Sequence, residues 1–569
     1  MDIRSQAMLC RETICTVAWH GKNQYSVNRN QMAQSFTWDS LYSSRRTPVM
    51  AANVVAASQP LAAQAGLTML EKGGSAADAA IAAAATLMVV EPVSSGLGAD
   101  AFALISHRGE IVGLNASGRT PSAPPPNYNG GKISDFGWPS VTVPGAVSGW
   151  VSLSERFGKL PFADLFEPAI HYAEEGFLVT PVVARVWRGL KAQYLKLPEI
   201  MASFYPNDSS PPPGTRATLP ALAESLRKIA ASKGDSLYRG ELAEKLSAYA
   251  KATNGHLSAS DLAAHRAEWV TPLGMNYRGA TLYEMPPNSQ GIAALIAMGL
   301  LEHLELSKYK VDSADSIHLQ IEAMRLAFAD TYAHVADPAA MSVGADELLS
   351  VQRIAELAKT ISNSEARFPS GATNGSGGTT YLTAADWDGM VVSYIQSSGQ
   401  GFGSGLVAPG TGIALQNRAS AFHPDPRHVN AFAPNKRPFH TNSPAMMRRE
   451  DGSVMSFGLM GWSVQPQAHV QFVTRAVDAQ QSAQAILDAP RWRLAVEEPA
   501  IVLESALAAN AGVELARRGH TIVATERFTA ASTPFGNHLM FGGANMIEQV
   551  ADGYIAASDP RRDGAAVGF

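Results

Sequence analysis

The strongest chemical signal in the sequence is a junction. A stretch rich in glycine and small polar residues (Pro369, Ser370, Gly371, Thr373, Asn374, Gly375, Ser376, Gly377, Gly378) ends directly on Thr379. Such a composition gives a flexible, exposed loop. A β-pattern begins at once behind it: residues 381–385, a turn at Asp386-Trp387-Asp388-Gly389, and residues 390–395 read as a hairpin that is expected to place Thr379 at a sheet edge. A threonine hydroxyl is a poor nucleophile unless a base stands beside it. At a newly made chain terminus the base is built in, because an α-amino group titrates near ~8. The junction therefore points to a precursor in which Thr379 Oγ attacks the Gly378 carbonyl and water opens the resulting ester. Glycine at 378 suits that attack through its tolerance of unusual φ/ψ. Three later glycine turns, Gly401-Phe402-Gly403-Ser404-Gly405, Pro409-Gly410-Thr411-Gly412 and Gly458-Leu459-Met460-Gly461, can bring backbone N–H groups to the same place. A Gly–Thr junction alone is an ordinary hinge; the combination gives it weight.

The surrounding elements are legible as a layered α+β chain. Residues 53–71 read as a short strand and a helix, with Ser58 as N-cap and Pro60 in the first turn. Gly73-Gly74 stops that helix, and Ser75 caps a second one made almost wholly of alanine, as expected of a central buried helix. Residues 102–105 and 111–114 pair around His107-Arg108-Gly109. Helical patterns follow at 147–157, 162–175, 219–233, 241–252, 291–304 and 314–333, with a strand at 282–285. A strand at 454–457 and helices at 465–479 and 482–487 complete the pattern. Strands followed by helices without βαβ alternation indicate α+β packing.

Composition excludes several classes. The chain has 569 residues, 46% hydrophobic and 17% charged, with a net charge of −5, so neither disorder nor a broad nucleic-acid surface fits. Both cysteines, Cys10 and Cys15, lie in the first fifteen residues, which leaves no disulfide framework or cysteine zinc site in the body. Residues 1–46 lack periodicity and read as a leader, with Met32 a possible alternative start. Arg4, Arg11 and Glu12 break up any signal-peptide run, and the alanine-rich stretch 76–90 is too short and small-sided to span a bilayer, so the expectation is a cytoplasmic protein without a membrane partner. His423 and His428 lack a third ligand at metal spacing. The Gly401–Gly405 run lacks the lysine of a phosphate loop, and Glu322 with Arg325 is spaced for a local ion pair.

A family resemblance extends this reading. Thr379-Thr380-Tyr381, Asp388-Gly389, Phe402-Gly403-Ser404-Gly405, Gly412-Ile413 with Gln416-Asn417, and Asn435-Lys436-Arg437-Pro438 resemble the small chain of γ-glutamyltranspeptidases. Gly73-Gly74-Ser75-Ala76-Ala77-Asp78-Ala79-Ala80, Val90-Glu91-Pro92 with Gly96-Leu97-Gly98, and Val143-Pro144-Gly145 resemble the large chain, and Ser558-Asp559-Pro560-Arg561 with Asp563-Gly564 the family's ending. The resemblance runs from about residue 49 to 569. It implies an N-terminal-nucleophile hydrolase with an αββα four-layer sandwich, cut into a large chain (47–378) and a small chain (379–569) that stay associated, with no metal and no cofactor.

Carried over residue by residue, the resemblance implies Thr379 as nucleophile and Ser397 as its supporting hydroxyl. Gly461 and Trp462 stand at the family's paired-glycine position, whose amides form an oxyanion hole; losing one such donor costs ~3 kcal/mol. Arg119 aligns with the arginine that grips the substrate carboxylate, and His440-Thr441 with paired serines of the substrate pocket. Tyr381 and Gly399 depart from the pattern. So does Ala421, which replaces the acid that holds a γ-glutamyl α-ammonium. The expected activity is hydrolysis or transfer of γ-glutamyl amides of the glutathione type, with water the favoured acceptor. Alternatives are an amidase for another carboxylate-bearing amide, such as a glutaryl amide or a short dicarboxylic monoamide, and a non-catalytic binding protein on the same scaffold.

Overall fold

The computed structural model describes residues 46–367, 378–495, 500–525 and 540–569. Most of the expected leader and nearly all of the loop ahead of Gly378 lie outside the described residues. Arg46, assigned to the leader, belongs to the fold: its guanidinium donates to Ser558 Oγ, Gly564 O and Arg562 O at 2.6–2.7 Å.

Two seven-stranded sheets form the centre, antiparallel throughout. One runs in the order Val49–Ala51, Gly553–Ser558, Gly543–Val550, Val454–Met460, Ala445–Arg448, Ala280–Glu284, Leu273–Tyr277. The other runs Ala565–Gly568, Val54–Ala57, Thr380–Ala385, Val391–Ser397, Asp100–His107, Glu110–Ala116, Glu268–Val270. The two-residue side-chain period sorts each strand between two cores. In Thr380–Ala385, Leu382 and Ala384 enter the core under the helices Pro60–Glu71, Ala76–Val90 and Ala146–Phe157, whereas Tyr381 and Ala385 enter the core between the sheets beside Phe102, Met446 and Ile547. A third core joins the other sheet to the helices Ile292–Glu302, Ala314–His334 and Val464–Val477. Three cores separating four layers make an αββα sandwich. Because both faces of each sheet are buried, the central strands are apolar runs rather than apolar–polar alternations.

The helix that supports the nucleophile's sheet is fixed locally. Ser75 Oγ accepts from Asp78 N, and the Asp78 carboxylate accepts from Ser75 N, closing a capping box. Alanine along Ala76–Val90 lets this wholly buried helix lie close to the sheet. Its predecessor is capped by Gln59, whose side chain accepts from Leu61 N, and not by Ser58, whose hydroxyl is drawn to the buried Glu91 carboxylate at 2.6 Å. The expected helix 162–175 is a 3₁₀ turn, Phe162–Phe166, followed by the helix Glu167–Glu175, since Pro168 fits only a first turn.

Candidate active site

The strand after the junction is not an edge. Thr380–Ala385 pairs on one side with all of Val391–Ser397 except Ser397 itself and on the other with Val54–Ala57. The second partner ends at Ala57, opposite Leu382, so the chain ahead of Leu382 has no ladder neighbour there. Thr379 therefore sits at an interior strand's open end, 1% exposed.

Its hydroxyl enters a saturated arrangement. Thr379 Oγ1 donates to Ser397 Oγ at 3.1 Å, Gly399 N donates to the same oxygen at 3.0 Å, and Ser397 Oγ donates to Gly378 O at 2.7 Å. A serine has one donor and two acceptor sites, and all three are used. The residue behind the nucleophile thus touches both its oxygen and the carbonyl at the junction. The need for glycine at 378 has a different cause from the one expected. Its φ lies outside the left-handed range, but an added Cβ would stand 2.6 Å from Val93 O and 2.7 Å from Ser94 Cα. Backbone crowding, not a left-handed φ, demands glycine.

The Gly461-Trp462 turn lies across the sandwich. Thr383 Oγ1 meets Ser456 Oγ, and Tyr381 packs so closely over Gly458 that a Cβ there would be 2.3 Å from its ring. The strand that ends at Met460, next to Gly461, thus packs across the sandwich against the strand that follows Thr379. Gly461 (φ 135°) and Trp462 (φ 55°) both have positive φ, and among the described residues neither amide N–H donates to a protein acceptor. Gln290 Nε2 pins the turn by donating to Trp462 O and Thr441 O at 2.7 and 2.6 Å.

The expected pocket residues are engaged with other protein groups. Arg119 is half-exposed and matched to acids: it donates to Asp337 at 2.6 Å and lies 3.6 Å from Glu268. Glu268 also takes a bidentate pair from Arg437 at 2.8 and 3.0 Å, so two arginines and two carboxylates balance one another. His440 is fully buried with both nitrogens engaged. Nδ1 accepts from Asn442 N at 3.1 Å, so Nε2 carries the proton toward Asp100 Oδ2 at 3.3 Å. Burial, with the Arg418 and Arg437 cations, holds this imidazole neutral. Burial raises Asp100 to about 7, against hydrogen bonds from Gln416 and Gly118 N and the Arg418 charge. Thr441 Oγ1 accepts from Arg418 at 2.9 Å.

Two residues have roles that the sequence reading did not assign. Gly399 is glycine because φ is +92° and Asn417 Oδ1 occupies its Cβ position at 2.0 Å; Asn417 is anchored through its N–H to Ser398 O at 3.1 Å. Arg418, the next residue, is buried. A signal for it existed: it is the only Lys, Arg, Asp or Glu between Asp388 and Asp425. The other tempting features are local. His423 and His428 stack at 4.0 Å, each Nδ1 accepting a loop amide, and Glu322 pairs with Arg325 as its spacing requires.

A family profile described as Gamma-glutamyltranspeptidase matches residues 62–569. The chain belongs to the γ-glutamyltranspeptidase family. It is similar to the oxamate amidohydrolase proenzyme of Klebsiella pneumoniae, 36% identical over 90% of this chain and 97% of the relative. The glutathione hydrolase-like YwrD proenzyme of Bacillus subtilis is 33% identical with the same coverage. Among solved structures, cephalosporin acylase from Bacillus halodurans superposes with a TM-score of 0.88 at 40% identity, covering 94% of this chain and 99% of that one. The chain is therefore an enzyme of the N-terminal-nucleophile hydrolase type, from a family of autoprocessed proenzymes, and its αββα sandwich is the family's. Among the described residues no helix is long and apolar enough to cross a membrane.

Proposed function

We propose that the chain cuts itself between Gly378 and Thr379 into a large chain ending at Gly378 and a small chain, 379–569, and that Thr379 then hydrolyses amides whose acyl part carries a free carboxylate. The observation that carries this reading is the chain Thr379 Oγ1–Ser397 Oγ–Gly378 O. In the precursor, Thr379 Oγ adds to the Gly378 carbonyl carbon, its proton passes to Ser397, and the Ser397 proton passes to the Gly378 oxygen. Collapse passes the proton of that oxygen to the Thr379 nitrogen, breaks the C–N bond, frees the α-amine and leaves Gly378 as an ester on Thr379, which water hydrolyses. The freed amine is then the base for substrate attack. The Gly461 and Trp462 amides, without protein acceptors, are the donors for the oxyanion. The two chains stay together because their strands interleave: Leu382 pairs with Ala57 and Ile395 with Phe102.

Within carboxylate-bearing amides, γ-glutamyl compounds are disfavoured. Ala421 offers no anion to an α-ammonium, and the nearby buried Arg418 repels one. A dicarboxylic monoamide or glutaryl amide, with no ammonium, suits the site better, and a relative named for oxamate agrees with that direction. Denaturing electrophoresis tests the first part: two chains are expected from the native sequence and one from Thr379→Ala, and a cleaved Thr379→Ala chain would refute self-processing. Turnover of a γ-glutamyl anilide against its glutaryl analogue tests the second; a clear preference for the γ-glutamyl compound would reverse it.

A further inference from the structure

The Arg418 guanidinium is 2% exposed and has no carboxylate within ion-pair distance among the described residues. Its partners are neutral: Thr441 Oγ1 at 2.9 Å, Asn442 Oδ1 at 3.3 Å, and the Trp462 ring, whose centroid is 5.8 Å from the guanidinium carbon. A buried cation held this way is expensive unless a counter-charge arrives. The other arginines nearby cannot share one, because Arg119 and Arg437 are already balanced by Asp337 and Glu268. Asp100 supplies only a longer-range field, and its own oxygens take hydrogen bonds from Gly118, Gln416 and His440.

The unpaired hydrogen-bonding atoms point the same way. Among the described residues Arg418 Nε, Trp462 Nε1 and Asn442 Nδ2 are buried donors without acceptors, and they belong to Arg418 and two residues beside it. Buried donors are rarely left unpaired, and three of them on one cation and two residues beside it offer partners to an anion. The place is next to the reacting groups. Asn417 N holds Ser398 O, one residue beyond Ser397, and Trp462 carries one of the free amides of the Gly461-Trp462 turn.

We propose that Arg418, with Trp462 Nε1 and Asn442 Nδ2, binds the free carboxylate of the acyl donor. This deepens the proposed amidase reading and moves the carboxylate clamp from Arg119 to Arg418. A planar guanidinium with an indole N–H and an amide beside it accepts a carboxylate through directed hydrogen bonds. Burial lowers Arg418 only to about 10, so it remains cationic at neutral pH.

The test pairs glutaramate with glutaramide and oxamate with methyl oxamate, reading ammonia release. The native enzyme is expected to prefer each acid over its neutral partner by about 100- to 1,000-fold in kcat/KM, the scale of a buried charge pair. Arg418→Met should collapse that ratio to a few-fold, chiefly through KM, and Arg418→Lys should recover part of it. Asn442→Asp, which sets a carboxylate beside Arg418, should erase the preference too and serves if Arg418→Met does not fold. A ratio unchanged in a folded Arg418→Met or Asn442→Asp would overturn the proposal. Thermal denaturation separates this from failure of the amidase reading. Millimolar oxamate or glutaramate should raise the native Tm and not that of the folded variants, even if no amide is turned over; no rise in the native protein with either anion would also overturn it.

Discussion

Replacing Ser397 by alanine isolates the link between structure and chemistry. The hydroxyl makes three hydrogen bonds in a site with no exposure, so its removal leaves the Thr379 hydroxyl and the Gly399 N–H buried without this partner. Each orphaned group costs about 1–3 kcal/mol, and this part appears as lowered stability. The third bond matters most for rate. It falls on Gly378 O, the oxygen that gains charge as Thr379 attacks. A preorganised donor at such an oxygen contributes about 3–4 kcal/mol, so precursor cleavage should slow by about 10²–10³-fold. Ser397→Thr keeps the hydroxyl and should stay within about tenfold of the native rate, its extra methyl being the only burden. The assay is the half-time of conversion from one band to two on denaturing gels after purification of the uncut chain. If Ser397→Ala matured with the native half-time while keeping its fold, the relay through Ser397 would be wrong.

Other outcomes follow from single contacts. Gly378→Ala should slow maturation by at least about tenfold, because its Cβ meets the Val93-Ser94 backbone, which cannot yield as a side chain would; gel half-times check it. Gly399→Ala should lower stability by about 1–3 kcal/mol, through a φ of +92° and a clash with Asn417 Oδ1, read as a lower Tm of the unprocessed chain. The pH profile should carry two signatures. Rate should rise toward pH 8 as the Thr379 amine loses its proton. KM for an acid donor should climb a few-fold above about pH 7, because Asp100, protonated below that point, becomes an anion whose field offsets Arg418. A KM that stays flat from pH 6 to 8.5 would remove Asp100 from the binding balance.

Much of this was legible in the chain, for physical reasons. The hairpin behind Thr379 and the Ser75 cap are local signals, written within a few residues and realised as read. What was misread depended on distant partners. The hairpin looked like an edge because the strand covering it, Val54–Ala57, comes from more than three hundred residues earlier. Ser58 looked like a cap until Glu91 competed for its hydroxyl. Gly378 looked like a conformational choice, whereas its cause is Val93 pressing from another segment.

The proposed transfer of the clamp from Arg119 to Arg418 bears on specificity. A carboxylate-binding arginine needs two properties, a charge not already neutralised and a position where water competes poorly; Arg119 has neither, and Arg418 has both. The same short turn, Arg418–Ala421, also lacks the acid that would greet an ammonium. One stretch of four residues thus gains a buried cation and offers no anion, which reverses the electrostatic preference for what lies beside the acyl carbon. A substrate with a carboxylate and no amine satisfies that field, whereas a zwitterionic glutamyl group meets repulsion at its second charge. Restoring an acid by Ala421→Asp should therefore improve γ-glutamyl turnover relative to glutaryl turnover by about tenfold or more. If the ratio of the two anilides did not move, charge in this turn would not be what selects the substrate.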